Sequence, residues 1–454
     1  MLSRRGLALA AARGVAAAVV MPAGSDGSVS SDSFSGGGRP LARVINAVDN
    51  FHADGTGTRD CTAELQSALI EASGHVLVVP PGNYRLSATL RIAGGTTLRA
   101  HGARFFTTAS AGFNFFNNRN FEAPYGAVKI DHNIVFEGGT YDYGLLNDGS
   151  THAIAMRMAA DIVVRDALFL GGNDATAMLA SQSTIVENCR AFGQNNCAYD
   201  HWEGPQDAVV RGCHAFIRGR NANGILFTGV GEPGTRLTAS GASFEDNWIV
   251  GLAADECGPG ILINADGAYC STENAKIVGN HLVNTGGGVV VSGAGGRHEI
   301  AENEFVECGA SSARGGDCLV RISPEIYNDQ VFGPPNDCVV RANRAIGCRV
   351  DSVEVGLVQL NGTGHVVGPL MLIRTSVADG VVFWCPTPSN RIRIEGPVIA
   401  DAATIAGVTQ GFYMGDRSTI IETPNPWKAR PMDSNRCPTG NKDAAPSDAG
   451  LLCL

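Results

Sequence analysis

Charge is scarce in this sequence: Asp, Glu, Lys and Arg together supply 17% of the 454 residues, and aromatic residues only 7%. The net charge is −10 and no dense basic run occurs. Phosphate backbones are held by Lys/Arg faces, so nucleic acid is excluded as a partner. The same balance means that a polyanionic substrate must be met by a local basic patch, not by the field of the whole molecule. Beyond the N-terminus no apolar run approaches the length of a membrane span. The thirteen cysteines include no Cys-x-x-Cys spacing, which argues against a zinc cluster.

Glycine is abundant, at 58 residues, and is mixed with Val, Ile, Thr and Asn without a collagen period. That mixture points to many short strands joined by tight turns. Apolar residues at 44% are ample for a core. The length alone would suit two or three domains, although long β architectures run as one unit. Residues 1–23 combine a basic start, the Arg4–Arg5 pair and an Ala/Val run, the pattern of an export signal of the twin-arginine type. A Ser/Gly-rich linker over 24–42, a main domain over 43–425 and a tail over 426–454 complete the expected organisation. Export would suit disulfides, and Cys257/Cys270, Cys308/Cys318 and Cys338/Cys348 are the sequence-local pairs.

Internal repetition carries the fold. Val163-Val-Arg-Asp-Ala-Leu-Phe169, Val186-Glu-Asn-Cys-Arg-Ala-Phe192 and Val210-Arg-Gly-Cys-His-Ala-Phe216 align without gaps. Looser copies begin at Ile277, Ile300 and Val340, with Asn or Cys recurring mid-repeat. Between copies lie second short strands such as Gly224-Ile-Leu-Phe227, Gly260-Ile-Leu-Ile263 and Gly288-Val-Val-Val291. A period in the low twenties, built of strands without regular leucines or helical periodicity, predicts an all-β fold: a right-handed parallel β-helix. In that fold like residues stack at about 4.8 Å. Phe169, Phe192 and Phe216 are expected to form an internal stack, with Cys189 and Cys213 as free thiols in a polar ladder. One amphipathic helix, over 60–72, buries Leu65, Ala68, Leu69 and Ala72 and is expected to cap the open N-terminal rung.

The stretch from Asp54-Gly-Thr-Gly-Thr-Arg-Asp60-Cys-Thr62, through that helix, to Val79-Pro-Pro-Gly-Asn-Tyr84 resembles the opening of the pectate-lyase-like β-helix superfamily. The resemblance spans about residues 47–90. It implies the β-helix fold and a polysaccharide partner, while leaving the reaction open, because this fold hosts lyases, hydrolases, epimerases and adhesins.

Chemistry concentrates in Tyr199-Asp-His-Trp-Glu203. One coil earlier stands Asp174, and one coil later Arg218, Arg220 and Asn223. Asp174, Asp200 and Glu203 are expected as acids or bases with His201 as partner. Tyr199 and Trp202 are expected to offer flat faces to a sugar ring. Arg218, Arg220 and Asn223 would hold the substrate, the guanidiniums neutralising a uronate carboxylate. Strand alternation places Tyr199, His201 and Glu203 on one face and Asp200 with Trp202 on the other. The function expected is an exported enzyme cleaving an acidic polysaccharide by lyase or hydrolase chemistry, with a glycan-binding β-helix or a uronate C5-epimerase as alternatives. No cofactor is expected; a Ca²⁺ ion at Asn264–Asp266 or at Asp255–Glu256 is the one option. Gly229-Val-Gly-Glu-Pro-Gly234 matches a dinucleotide fingerprint only formally, because Pro stands where a helix must begin. The other histidines, His152 among them, read as turn or surface residues, and the oligomeric state is open.

Overall fold

Three short strands make each turn of the chain. Asp174–Leu179, Gln182–Glu187 and Arg190–Phe192 form one coil. Cys197–Trp202, Gln206–Arg211 and His214–Ile217 form the next, each in parallel register on its predecessor. The three stacks that result are called sheets I, II and III in that order. Parallel pairing with right-handed crossovers gives the expected right-handed parallel β-helix. The computed structural model describes residues 42–421 and 452–453, except 109–111, 124–130, 145–150, 220–221, 233–234, 253–256, 268, 310–317, 328–329, 351–355, 378–380, 386–390, 402–403, 405–409 and 415–419. The export signal, almost all of the linker and nearly all of the tail lie outside the described residues, as do Arg220, Asp255 and Glu256.

The repeated Asn, Asp and Gly residues have a backbone cause. At the corner from sheet II to sheet III the chain takes a left-handed conformation at Asp166, Asn188, Gly212, Asp246 and Gly279. Those residue types adopt it at least cost. The next residue points inward and bonds along the axis. Cys189 N–H donates to Cys213 Sγ (3.4 Å) and Cys213 N–H to Asn247 Oδ1 (3.0 Å). Asn247 N–H donates to Asn280 Oδ1 (3.1 Å), Asn280 N–H to Asn303 Oδ1 (3.0 Å), and Asn303 N–H to Asn343 Oδ1 (3.0 Å).

The expected phenylalanine stack is not formed. Phe169 pairs in register with Ala191 and then Ala215, while Leu170 pairs with Phe192 and then Phe216. Val164, not Val163, is the partner of Val186. A slip of one residue turns every side chain to the opposite face. Phe169 therefore faces the core and stacks on Tyr141 at 5.1 Å, and Tyr141 on Phe105 at 5.4 Å. Two coils on, the interior volume is filled from sheet I, where Tyr199 reaches across and donates its O–H to His214 O (2.9 Å). Phe192 and Phe216 are left facing outward.

The sequence-local cysteine pairs are not bridged either: Cys257, Cys270, Cys308, Cys318, Cys338 and Cys348 are buried and form no disulfide with one another. The thiols engage neighbouring coils instead, Cys257 on Ile217 O (3.6 Å), Cys318 on Gln359 Oε1 (3.7 Å) and Cys348 on Phe305 O (3.3 Å).

Two helices stand at the N-terminal end, α1 (Ala47–Phe51) and α2 (Thr62–Glu71). Helix α2 is the expected cap and buries Leu65, Ala68 and Leu69, with Ala72 just beyond it. Asp60 is not its N-cap residue, yet its Oδ1 accepts from Thr62 N–H (3.0 Å) and Oγ1 (2.6 Å). The strand Asn223–Glu232 turns back to pair antiparallel with Thr235–Arg236, so no helix follows the glycine fingerprint.

Glycine also sets the width of the coil. A Cβ on Gly260 would run into Leu282 Cδ2, which packs inward from sheet III. Gly260→Val should lower stability by about 1–3 kcal/mol, the cost of overpacking a core. A chemical-denaturation midpoint unchanged from the parent would contradict this packing.

Candidate functional site: an acid cluster on sheet I

The strand Cys197–Trp202 alternates as its pattern requires. Tyr199 and His201 point into the core, with no more than 1% of their surface exposed. His201 lies 6.4 Å from the Phe244 ring, and burial pushes its imidazole pKa down to about 3. Neither residue reaches a surface-bound glycan, which corrects the roles expected of them. Asp200 and Trp202 point outward. The indole is 39% exposed, whereas Asp200 is only 5% exposed.

Glu203 departs from the alternation. It takes a left-handed conformation (φ 64°), in the corner row that also holds Met158 and Ala180. The corner swings its side chain away from Tyr199 and His201 and onto Arg157, whose Nε stands 3.3 Å from Glu203 Oε2. Arg157 Nη1 also donates to Ala123 O (3.2 Å). Glu203 thereby joins the outward group.

Asp200 Oδ1 is buried and has no hydrogen-bond partner among the described residues. Burial, and then the nearby carboxylates of Asp174 and Glu203, hold this carboxyl well above the ordinary range. A carboxyl so placed favours its protonated form. It is the chemical form of a proton donor.

Asp174 is occupied differently. Its Oδ1 accepts from Cys197 N–H (2.7 Å) and Asn196 Nδ2 (3.0 Å), and its Oδ2 from Asn173 Nδ2 (3.1 Å). His152 Nδ1 stands 2.7 Å from Asp174 Oδ2, one coil below in register. Asp174 is thus tied to the backbone and amides of the next coil and to His152 of the coil below. The sequence alone reads His152 as a turn or surface residue. The signal for it was present, because His152-Ala-Ile-Ala-Met156 repeats as Asp174-Ala-Thr-Ala-Met178.

Asn223 is buried at the start of its strand, its N–H donating to Asn196 O (2.8 Å). Arg218 is half-buried in the connection after sheet III, beside Gly193. Among the described residues it forms no ion pair with Asp174, Asp200 or Glu203, so the expected grouping of Arg218 with the acids is not found.

No group of three His, Cys, Asp or Glu residues is gathered as for a metal among the described residues. At the Ca²⁺ option, Asn264 Oδ1 accepts from Thr228 Oγ1 (2.6 Å) and Asn264 Nδ2 donates to Asp266. Those donors are committed to one another and do not converge on an ion. Two surface cavities lie elsewhere. One of about 640 Å³ is lined by His52, Asp54 and Arg59, and one of about 290 Å³ by Arg119, Asp131 and His132. Their carboxylates are already engaged, Asp54 by Thr56 and Arg59 N–H, and Asp131 by Asn118 and Asn120. No helix among the described residues is long and apolar enough to cross a membrane.

Residues 44–126 match the family described as "Rhamnogalacturonase A/epimerase, pectate lyase-like". No curated protein sequence matches the chain. Solved structures share the fold over most of its length. The surface adhesin PfbA of Streptococcus pneumoniae is 15% identical, with 84% of this chain and 94% of that one covered and a TM-score of 0.55. The mannuronan C-5 epimerase AlgE6 A-module of Azotobacter vinelandii is 16% identical, covering 84% and 100%, with a TM-score of 0.51. The tailspike protein of the E. coli bacteriophage HK620, in complex with a pentasaccharide, is 13% identical, covering 83% and 80%, with a TM-score of 0.51. Coil geometry and shared fold agree that this chain is a right-handed parallel β-helix, and its residues 44–126 are similar to the pectate-lyase-like family named above.

Proposed function

We propose that this protein is an exported β-helix enzyme that cleaves glycosidic bonds of a polysaccharide, with Asp200 as the proton donor. The observation that carries this is the setting of Asp200: it points outward, is nearly buried, has an Oδ1 without a partner among the described residues, and is pushed by burial and the nearby carboxylates of Asp174 and Glu203 toward its protonated form. Trp202, exposed on the same face two residues on, would seat a sugar ring. The carboxylate of Glu203, steadied by Arg157, would act as the base that draws a proton from water.

Hydrolysis by an attacking water would need the two carboxyls about 6.5–9.5 Å apart, against about 5 Å where one attacks directly. The state of Arg157 supports hydrolysis over β-elimination. Elimination needs a cation to neutralise the uronate carboxylate, and the guanidinium at this cluster is already engaged by Glu203. Two of the proteins that share the fold, a mannuronan epimerase and a tailspike in complex with a pentasaccharide, support a polysaccharide as the substrate class.

The test is to incubate the pure protein with a panel of acidic and neutral polysaccharides, reading new reducing ends and unsaturated-uronate absorbance. New ends without absorbance are expected. Ends with absorbance would replace hydrolysis by elimination, and altered uronate composition without new ends would mean epimerisation. A non-catalytic glycan-binding β-helix is the second reading. The 5% exposure of Asp200 favours it, because little of that carboxyl meets solvent. Binding with no chemical change would establish it.

A further inference from the structure

The outward face of sheet III carries a patch that the acid cluster does not use. One row runs Arg190, His214, Trp248, His281 on successive coils. Beside it run Phe192, Phe216 and Val250. Past the strand ends Arg218 is followed one coil on by Leu252, whose N–H donates to Ile217 O (2.9 Å). Trp248 is 45% exposed, Phe216 36% and Leu252 52%. These are large apolar groups left to water on neighbouring coils.

The patch is ordered. The Trp248 and His281 rings stack at 5.0 Å and 19°. His281 Nδ1 lies 2.9 Å from Glu304 Oε2, and Arg344 Nη1 lies 3.1 Å from Glu304 Oε1. The indole is thus buttressed by a chain of contacts from the coils above. On the other side Arg190 sits one rung below His214, close enough that its charge adds to burial in lowering the His214 pKa.

The two arginines differ from their counterparts on sheet II. There, guanidiniums meet glutamates on adjacent coils: Arg99 and Arg165 both on Glu137, Arg211 on Glu187, Arg341 on Glu299. Among the described residues Arg190 and Arg218 form no ion pair, and none of the patch residues is a carboxylate. In a chain of net charge −10, this is a local cationic spot set among exposed aromatic rings.

We propose that this face of sheet III is a binding platform for an anionic polysaccharide, separate from the acid cluster on sheet I. Phe216 and Trp248 receive the apolar side of the sugar rings, while Arg190 and Arg218 receive carboxylate or sulfate groups. Size decides against a protein partner. Three coils at about 4.8 Å and five strand positions at about 3.3 Å give on the order of 200 Å². A stable protein interface takes about 800 Å² from each side. A short run of sugar units fits the smaller area. The platform stands or falls independently of hydrolysis, because it lies on a different sheet and involves no proton transfer.

The experiment measures binding of polygalacturonate, with dextran as the neutral control, by affinity electrophoresis of the whole chain at low and high salt. Asp200→Asn serves as the background, so that cleavage does not consume the ligand. Polygalacturonate is expected to retard this protein and dextran is not. The triple change Arg190→Gln, Arg218→Gln, Trp248→Ala should weaken that binding at least about tenfold. The double change Arg190→Lys, Arg218→Lys, which keeps the charges, should retain most of it and serves as the folding-matched control. Failure of the Asp200→Asn protein to bind polygalacturonate would overturn the proposal. So would equal binding by the triple variant, or loss of self-association in that variant with glycan binding intact. Loss of cleavage with binding preserved would bear on the acid cluster alone.

Discussion

Asp200→Asn is expected to slow polysaccharide cleavage about 10²–10⁴-fold, the share that general acid catalysis ordinarily supplies. The amide matches the carboxyl in shape but has no acidic proton to give. The pH profile should identify the same group. The protonated form is the active one, so the rate is highest below the raised pKa of Asp200 and falls as pH climbs through it. In the Asn variant that descending limb should vanish. Stability should depend on the same proton. The folded protein holds this proton above the ordinary carboxyl value of 3.8, so the site's contribution to stability is complete below that value. It is lost as pH rises through the folded-state pKa, because ionising the buried group then costs solvation. The variant should therefore melt at or above the parent's temperature at neutral and alkaline pH. An enzyme that kept full activity with Asn at 200, or whose melting point dropped sharply, would remove Asp200 from the mechanism.

The second large effect is structural. Asn280→Leu should destabilise the fold by about 2–6 kcal/mol, because two buried backbone groups lose their partners at about 1–3 kcal/mol each. Those groups are Asn247 N–H, which donates to Asn280 Oδ1, and Phe244 C=O, which accepts from Asn280 Nδ2 (2.9 Å). Leucine shares the branched outline of asparagine but is larger and has neither donor nor acceptor. Asn280→Cys should cost less. Cys213 already holds the equivalent position two rungs down, accepting from Cys189 N–H and bonding Val186 O at 3.5 Å. Denaturant midpoints for the two variants measure the difference. Equal losses would mean that packing volume, not ladder bonding, governs this row.

Much of this was legible along the chain. A period set by Val, Asn/Cys and Gly is a local feature, and it led to the coil, the ladder thiols and the capping helix. Alternation within 199–203 separated Asp200 and Trp202 from Tyr199 and His201. Which of the two faces looked inward was not legible, because both faces of that strand carry polar and aromatic groups. The outcome depended on the interior of the coil, where Ala191 and Ala215 left space for Tyr199. Register between copies was likewise undetermined. Aligning Val163 with Val186 and aligning Val164 with Val186 are almost equally good by eye, and only the Tyr141–Phe169 stack distinguishes them.

Taken alone, the sequence determined the architecture, because spacing and turn chemistry act over a few residues and repeat often enough to leave one solution. It also singled out the coils that carry Asp174, Asp200 and Glu203 as candidates. The tertiary structure decided which side chains meet. It set His152 against Asp174, drew Glu203 onto Arg157 through a left-handed corner, and parted Arg218 from the acids to leave it beside Gly193. Those outcomes follow from contacts between coils some 22 to 46 residues apart, where one position of register or one corner angle changes the partner.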